Sequence, residues 1–318
     1  MATPIGTNSV TALSRRHLLD QVIDAIYKSN TLFFRLIAGN KKMVQGGFQI
    51  ELPIMWTQTQ AGGAYAGPDV LDISPTDPFK NAAWDWRQYY VPVTIDNLTL
   101  ARSDHPDAVA NLLTGLFDQA EMQMADFLGT GLWSDAVTNV KMLDGLKGAI
   151  DNGTVAATYG GLSRSANPFW QSQIDSATTT LTALAMRTLM GSATEGGRAP
   201  TVIFTTQFLY NRYWNLLQPN QAFPVNPGGA DVQLAQAGFT NAIFDGVPVI
   251  VDSHVPANHM FFINERYLEL IVKTGLDFYL EDFVKPPNQD VFVSLLKWMG
   301  QIIVKNPARQ GKFTALTA

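Results

Sequence analysis

Two stretches of the chain alternate apolar and polar residues with a period of two. One covers residues 48–54 and the other covers residues 89–95. Successive side chains of a β-strand point to opposite faces, so this pattern predicts two strands that each have one apolar face. Pro53 and Pro92 lie inside these stretches. Because proline has no N–H to donate to a neighbouring strand, we expect both strands to have an open edge.

The segment 56–83 between these strands is rich in glycine, alanine, glutamine, threonine and proline. A connection of this length is uncommon inside a compact domain and is usually functional. We therefore interpret the region as a long two-stranded arm that reaches another molecule through aromatic anchors. For Trp84, packing in the protein's own core is an equally good interpretation. The candidate subunit-contact residues are Trp56, Tyr65, Phe79, Lys80 and Trp84, together with Phe33 and Phe34 from an upstream apolar docking segment.

The clearest helix signal is an apolar stripe at helical spacing over residues 109–127. A serine and an aspartate at 103–104 can cap this helix, and Pro106 suits its first turn. We expect Gly129 and Gly131 to end it. A helix of roughly 23 residues is about 35 Å long, which is enough to form the backbone of a domain.

The rest of the chain mixes helical and strand patterns, which predicts an α+β fold. Residues 18–26, 171–190 and 208–217 have apolar residues at helical spacing, whereas residues 141–170 and 218–230 are rich in turn-forming residues. Asp245-Gly246 predicts a tight turn. Short apolar runs predict strands at 202–204, 247–251, 260–263, 268–272, 291–296 and 301–305.

Composition indicates that much of the surface is covered by partners. Of the 318 residues, 46% are hydrophobic and only 15% are charged, whereas average soluble proteins carry about 25% charged residues. A second subunit is the simplest cover for such a surface. The net charge is −5 without a basic block, which argues against sequence-specific DNA binding. The chain has no cysteine, and we expect neither a signal peptide nor a membrane span.

Motifs that would carry catalysis or bind a cofactor do not match. A phosphate-binding loop needs a glycine five residues before its Gly-Lys pair and a hydroxyl residue directly after it. Around Gly311-Lys312 the glycine position is occupied by Asn306 and the hydroxyl position by Phe313. The sequence around Ser163 lacks the second glycine of a serine-nucleophile elbow. We therefore predict no catalytic residue and no cofactor.

One group of potential metal ligands occurs close together in the sequence. Asp252, His254 and His259 are residue types that bind metal ions. The alternative is a polar turn between two strands, and we favour it because no further histidine or cysteine is in register. No metal site is predicted.

Several segments resemble the Hong Kong 97-type major capsid proteins of tailed bacteriophages. They are Asp24–Leu36 before the arm, Gly145–Asp151 followed by Tyr159–Ser165, and Phe244–Asp252 followed by Phe261–Asn264 and Leu268–Val272. Their order along nearly the whole chain is more specific than any one of them. The resemblance implies a fold with an N-terminal arm, an extended two-stranded loop, a long spine helix, a peripheral domain and an axial domain.

The resemblance also implies how the chain is divided. The expected parts are an N-terminal arm at 1–45, the extended loop and its base at 46–100, a peripheral domain at 101–194 and 276–318 with the spine helix at 103–130, and an axial domain at 195–275. A subunit of this kind assembles into pentamers and hexamers of an icosahedral head that encloses double-stranded DNA.

The expected partners follow from the same resemblance. Strand-forming sequence begins by residue 48, so we expect a separate scaffolding protein, together with a portal, non-specific contact with packaged DNA and optional decoration proteins. The expected location is the virion, after assembly in the host bacterial cytoplasm. Covalent cross-linking through Lys80 is not expected. The alternatives are an encapsulin-type compartment shell and a soluble α+β enzyme.

Overall fold

The computed structural model describes residues 30–57, 64, 66–68, 77–98, 106–135, 137–217 and 242–317. The predicted helix at 18–26, the cap at 103–104, the loop at 218–230 and Tyr65 lie outside these residues. Among the described residues, no helix is both long and apolar enough to cross a membrane.

The described chain begins with a helix, α1 (Thr31–Gly39), and a short strand, β1 (Lys41–Val44). The side chain of Asn30 accepts a hydrogen bond from the backbone N–H of Phe33 and so caps α1. Strand β1 pairs in parallel with a strand at Leu268–Lys273. The expectation of an arm up to residue 45 is therefore wrong for this part of the chain, because α1 packs into the subunit's own core through Leu32, Phe33 and Leu36, and β1 joins its own sheet.

A two-stranded ribbon follows, made of β2 (Ile50–Met55) and β3 (Phe79–Trp84). The strands are antiparallel, and β2 confirms the predicted strand at 48–54. The last residues of the predicted loop 56–83 are part of β3. No strand is predicted there from the sequence, because the four residues between Phe79 and Trp84 are small or polar on both faces and do not alternate with apolar ones.

The first sheet contains β4 (Arg87–Asp96), β12 (Leu268–Lys273), β13 (Tyr279–Leu280) and β14 (Val291–Val304), with β1 at one edge. The strands predicted at 291–296 and 301–305 are one continuous strand. A side chain at Gly300 would lie 2.6 Å from the carbonyl oxygen of Ile271, so this glycine permits close packing instead of breaking the strand. Strand β4 pairs with β14 alone among the described residues, as its proline predicted.

The long helix α2 (Pro106–Leu132) packs on β4. Its start at Pro106 is as predicted, but it continues through Gly129 and Gly131. Side chains at these positions would lie 2.6 Å from the ring of His254 and 2.4 Å from the hydroxyl of Tyr89. The two glycines therefore make room for neighbours and do not end the helix.

The turn-rich region holds a short helix, α3 (Leu146–Ala149), and a hairpin of β5 (Thr158–Tyr159) and β6 (Leu162–Ser163). The prediction of a helix over 171–190 is wrong in its first half. Residues Gln173–Asp175 form strand β7, and the carboxylate of Asp175 accepts hydrogen bonds from the next residues' backbone. Helix α4 (Ala183–Ala193) begins only after Thr182, which caps it.

The second sheet has the order β7-β15-β11-β8-β10-β9. Its other strands are β8 (Val202–Thr205), β9 (Ile243–Phe244), β10 (Val247–Val251), β11 (Met260–Ile263) and β15 (Gly311–Phe313). Helices α4 and α5 (Gln207–Leu217) pack on one face over Ile203 and Phe262. The other face joins the main core, where Trp133 contacts Phe204 and Phe261. The predicted strands at 202–204, 247–251, 260–263 and 268–272 and the Asp245-Gly246 turn are confirmed.

Strand pairing crosses the expected domain boundaries. Strand β12 was expected in the axial domain but lies in the first sheet, with the spine helix α2. Strands β7 and β15 fall in the expected peripheral ranges but pair within the second sheet. Domain boundaries drawn at single sequence positions cannot assign these three strands correctly, because pairing between distant parts of the chain decides which sheet each strand joins.

Candidate subunit-contact surfaces

The ribbon has an inner and an outer face. On the inner face, Ile50, Leu52 and Ile54 are half-buried, opposite Trp84, Ala82 and Lys80 respectively. The outer face carries the cross-strand pair Met55 and Phe79, which are 69% and 59% exposed. The inner face therefore packs on the subunit, and the outer face is open at the end of the ribbon that leads to the loop.

The root of the ribbon is fixed to the subunit through Trp84, whose side chain is fully buried. The backbone N–H of Ala83 donates to the carbonyl of Gly160 at 3.0 Å. The rings of Trp84 and Tyr159 meet edge to face at 5.5 Å. A side chain at Gly160 would lie 2.8 Å from the Trp84 ring. The prediction of a subunit contact is wrong for Trp84, because the β5–β6 hairpin of the same subunit covers its ring. The alternative prediction, packing in the protein's own core, is correct.

Trp56 and Lys80 also face their own subunit. Lys80 Nζ donates to Asn167 Oδ1 at 2.5 Å and lies 4.3 Å from the centre of the Trp56 ring. The Trp56 ring in turn packs against Phe169, with the centroids 6.1 Å apart. Trp56 stays 40% exposed, so a further contact with a neighbour is sterically open to it, whereas the amine of Lys80 is already engaged.

Among the arm's predicted contact residues that the structure describes, Phe79 is the one on the outer face of the ribbon. Met55 opposite it was missed, although the register of two paired strands would have placed it beside Phe79. Phe48, just before the ribbon, is 94% exposed and adds to the apolar surface at the ribbon's start. Tyr65 lies outside the described residues.

The two phenylalanines upstream have different environments. Phe33 is fully buried and meets Phe278 edge to face at 6.2 Å. The prediction of a subunit contact is therefore wrong for Phe33, since helical periodicity turns it into the core. Phe34, one residue further along α1, is 51% exposed and stays a candidate.

A groove of about 260 Å³ lies beneath the start of the ribbon. Its apolar lining includes Ile50 and Leu52 of β2 and Ile271 and Ile303 of the first sheet. The start of the ribbon therefore packs next to the first sheet without filling the space between them completely.

The spine helix combines exposed apolar residues with a buried acid. Met122 and Phe127 are 72% and 38% exposed. Next to them Glu121 is buried, and Oε1 of its carboxyl has no hydrogen-bond partner within the described part of the chain. Burial, reinforced by the charge of Asp118, raises the pKa of Glu121 to about 7.

A buried ionic cluster supports the hairpin behind the ribbon. Asp151 accepts backbone hydrogen bonds from Gly153, Val155 and Ala156 and lies 3.4 Å from Arg164 and 3.3 Å from Lys312. One carboxylate thus faces two cations, and all three side chains are fully buried. Burial, only partly offset by Asp151, lowers the pKa of Lys312 to about 8. No sequence pattern indicated this cluster, because its members are far apart in the chain.

The three potential metal ligands do not converge. His254 Nε2 lies 3.1 Å from Asp126 Oδ1 on the spine helix, and its Nδ1 lies 3.5 Å from Asp252 Oδ1. His259 Nδ1 instead contacts the carbonyl of Ala257 at 2.7 Å. Over the described ranges, no three histidine, cysteine or acidic side chains are placed to hold one metal ion.

Comparison with solved structures identifies the fold. A chain of the cyanophage A-1(L) capsid asymmetric unit aligns with a TM-score of 0.68 at 16% identity, over 91% of this chain and 94% of that chain. A chain of the native GTA particle capsid gives 0.56 at 12% identity, over 87% and 88%. The SrpI encapsulin complex of Synechococcus elongatus PCC 7942 gives 0.52 at 10% identity, over 88% and 86%.

By sequence alone, no family model and no curated protein matches the chain. The structural agreement over roughly 90% of its length shows that the protein has the mixed helix-and-sheet, Hong Kong 97-type fold of phage capsid subunits.

Proposed function

We propose that this protein is a shell-forming structural subunit, the major capsid protein of a tailed bacteriophage, and not an enzyme. The observation that carries the proposal is the fold, which aligns with a cyanophage capsid chain along 91% of the protein. A fold alone does not specify a function. The surfaces that a shell needs are therefore the second line of support.

The outer face of the ribbon is the best of these surfaces. Met55 and Phe79 are exposed at the end of an element whose root is buried. An apolar pair held on a rigid root is a good anchor for a neighbouring subunit, because burial of apolar area contributes about 25 cal/mol per Å². Individual contacts can be weak, since a closed shell repeats each of them many times.

The two sheets have separate roles in this proposal. The first sheet and the spine helix α2 form the peripheral domain, and the ribbon is its extended loop. The second sheet, covered by α4 and α5, forms the axial domain that meets its copies at the five-fold and six-fold centres. In this proposal residues 1–29 belong to the N-terminal arm, whose role is to contact a neighbouring subunit.

The proposed partners are copies of the same chain, as pentamers and hexamers, with a separate scaffolding protein and a portal. Packaged double-stranded DNA makes only non-specific contact with the wall, which fits a net charge of −5. Decoration proteins outside the shell are an optional addition. Assembly takes place in the host bacterial cytoplasm, and the finished protein resides in the virion.

The test is assembly of variants at the outer end of the ribbon. Met55→Glu and Phe79→Glu place a charge on the apolar patch, and Val137→Glu does the same at an equally apolar site off the ribbon, 57% exposed. Each variant is co-expressed with the scaffolding protein and viewed by negative-stain electron microscopy. We expect shells from the wild type and Val137→Glu, and folded but unassembled subunits from the two ribbon variants.

Two results would contradict the proposal at different levels. Normal shells from a Met55→Glu, Phe79→Glu double variant would mean that the patch is not a subunit contact. A wild-type protein that stays monomeric under every condition, with and without scaffold, would argue against a shell function altogether.

The likeness to the SrpI encapsulin supports a second candidate, a cellular compartment shell. The lower TM-score of that alignment, 0.52 against 0.68, ranks it below the phage capsid. The contents of particles from the natural source separate the two, because a phage head contains double-stranded DNA and a compartment contains protein cargo. Ultraviolet absorbance and gel analysis of purified particles measure this directly.

A further inference from the structure

We infer that the outer end of one subunit's ribbon docks into the groove beneath the start of the ribbon of a second copy. The outer end is the exposed pair Met55 and Phe79 together with Asp77, which lies just before the pair's second strand. The inference rests on the proposed shell function, because it names the surface of the neighbouring subunit that the ribbon contacts.

The outer end is an apolar projection with a fixed shape. Met55 and Phe79 lie opposite each other and are 69% and 59% exposed. Pairing continues past them, since the backbone N–H of Trp56 donates to the carbonyl of Pro78 at 3.0 Å. The carboxylate of Asp77 accepts a hydrogen bond from the backbone N–H of Phe79 at 3.1 Å. A negative charge is therefore held beside the apolar pair.

The groove is the matching concave surface. It holds about 260 Å³ of unfilled space, and the half-buried side chains of Val44, Ile50 and Leu52 contribute to its apolar lining. One wall is fixed by Trp86, whose Nε1 donates to the carbonyl of Gly47 at 3.0 Å. Unfilled space leaves the lining atoms without contacts on one side. An apolar occupant restores these contacts, as Met55 and Phe79 of a second copy would.

The charges at the groove complement the charge of the outer end. Lys305 forms an ion pair with Glu269, and the carboxylate of Glu51 accepts a hydrogen bond within the ribbon at 2.9 Å. The exposed Lys42 forms neither an ion pair nor a hydrogen bond with the described residues. Asp77 likewise has no cation beside it in the described part of the chain. The groove thus offers an unpaired positive charge to the unpaired negative charge of the projection.

The two surfaces cannot meet within one subunit. They lie at opposite ends of β2, and five residue steps of a strand span about 17 Å. The contact must therefore join two copies through two different surfaces. A contact of this heterologous kind closes into a ring when its rotation angle fits. Pentamers and hexamers are rings of this type, whereas a contact between two identical outer ends would produce two-fold dimers.

Cross-linking of assembled shells tests the contact. The chain has no cysteine, so Lys42→Cys and Asp77→Cys introduce the only thiols. Shells are treated with a short bismaleimide and analysed on denaturing gels. We expect a ladder of covalent multimers up to pentamer and hexamer from the double variant, only dimers from a mixture of the two single variants, and monomers from each single variant alone. In the control, Val137→Cys replaces Lys42→Cys in the double variant, and no ladder should form.

Charge reversal provides a second measurement that needs no cross-linker. Lys42→Glu and Asp77→Lys each place like charges together and should weaken every contact about two- to fivefold, the effect of an exposed ion pair. The loss appears as a lower yield of shells at a fixed protein concentration. The double variant restores opposite charges and should recover the yield. Both positions are exposed, so we expect all three variants to fold.

The outcomes separate this inference from the shell function itself. Shells that form but give no ladder from the Lys42→Cys, Asp77→Cys double variant would overturn the inference and leave the shell function standing. Dimers from Asp77→Cys alone would overturn it in favour of a two-fold contact, and cross-links from Lys42→Cys to a cysteine placed in residues 1–29 would show that the arm fills the groove instead. A wild-type protein that never assembles would overturn the shell function and, with it, the inference.

Discussion

Trp84 and Phe79 lie on the same short strand of the ribbon, yet they have opposite environments. Trp84 is 1% exposed and packs on Tyr159, whereas Phe79 is 59% exposed and lies opposite Met55 across the ribbon. The two aromatic residues of this strand therefore have different roles. At the root Trp84 stabilises the subunit, and at the outer end Phe79 lies on the exposed surface that we propose for association.

If the proposed contact is correct, the difference between the two ends separates residues needed for folding from residues needed for assembly. A rigid root lets the outer end present apolar groups without losing them to the subunit's own core. Trp56 and Lys80 lie between these extremes, since they pack on Phe169 and Asn167 while Trp56 remains 40% exposed. The boundary between buried and exposed residues thus runs through the middle of the ribbon, and variants on either side of it should behave differently.

The largest effect is expected from truncating the two aromatic residues separately. Trp84→Ala leaves a cavity in the core and should lower the free energy of unfolding by about 3–5 kcal/mol. Phe79→Ala should change it by less than about 0.5 kcal/mol, as is usual for surface positions. Urea denaturation of the unassembled subunit measures both. A similar loss of unfolding free energy in the two variants would contradict the distinction between root and outer end.

The sequence predicted the regions where one pattern dominates. Alternation placed β2 and β4, and the apolar stripe placed the spine helix from Pro106 onward. It failed where tertiary packing overrides a local signal. Gly129 and Gly131 read as helix ends, but they admit His254 and Tyr89 to the helix surface.

The candidate site was predicted only in part for a related reason. An aromatic residue in a polar segment gives no indication of the face on which it will lie. That face depends on strand register, which pairs Met55 with Phe79 and turns Trp84 inward. The ionic cluster of Asp151, Arg164 and Lys312 depends on contacts between distant parts of the chain and has no local signature.

A second and smaller effect is expected behind the root, at Lys312. Burial lowers the pKa of Lys312 to about 8, from 10.5 for an ordinary lysine. Between these pH values the unfolded chain binds more protons at this site than the folded protein, so the wild type should gain stability as the pH rises from 8 toward 10.5. Lys312→Met should lose this gain, which is on the order of 2 kcal/mol.

The same variant tests whether the cluster carries an excess cation. Arg164 and Asp151 remain as a pair after Lys312→Met, so stability at pH 7 should be unchanged or higher. Urea midpoints from pH 7 to pH 10 give the comparison, with Lys42→Met as the control at an exposed lysine. A strong loss at pH 7 would mean that Lys312 is needed to compensate Asp151.

The smallest effect is expected at the boundary itself. Lys80→Met keeps the length of the side chain but removes the charge above the Trp56 ring and the hydrogen bond to Asn167. A cation–π contact at a partly exposed site contributes about 0.5–1 kcal/mol, so local opening of the ribbon should become about two- to fivefold more favourable. Hydrogen exchange of peptides from β3 measures this opening. An unchanged exchange rate would mean that Lys80 contributes as little to stability as Phe79 at the outer end. A loss of unfolding free energy as large as that of Trp84→Ala would mean that Lys80 is part of the root.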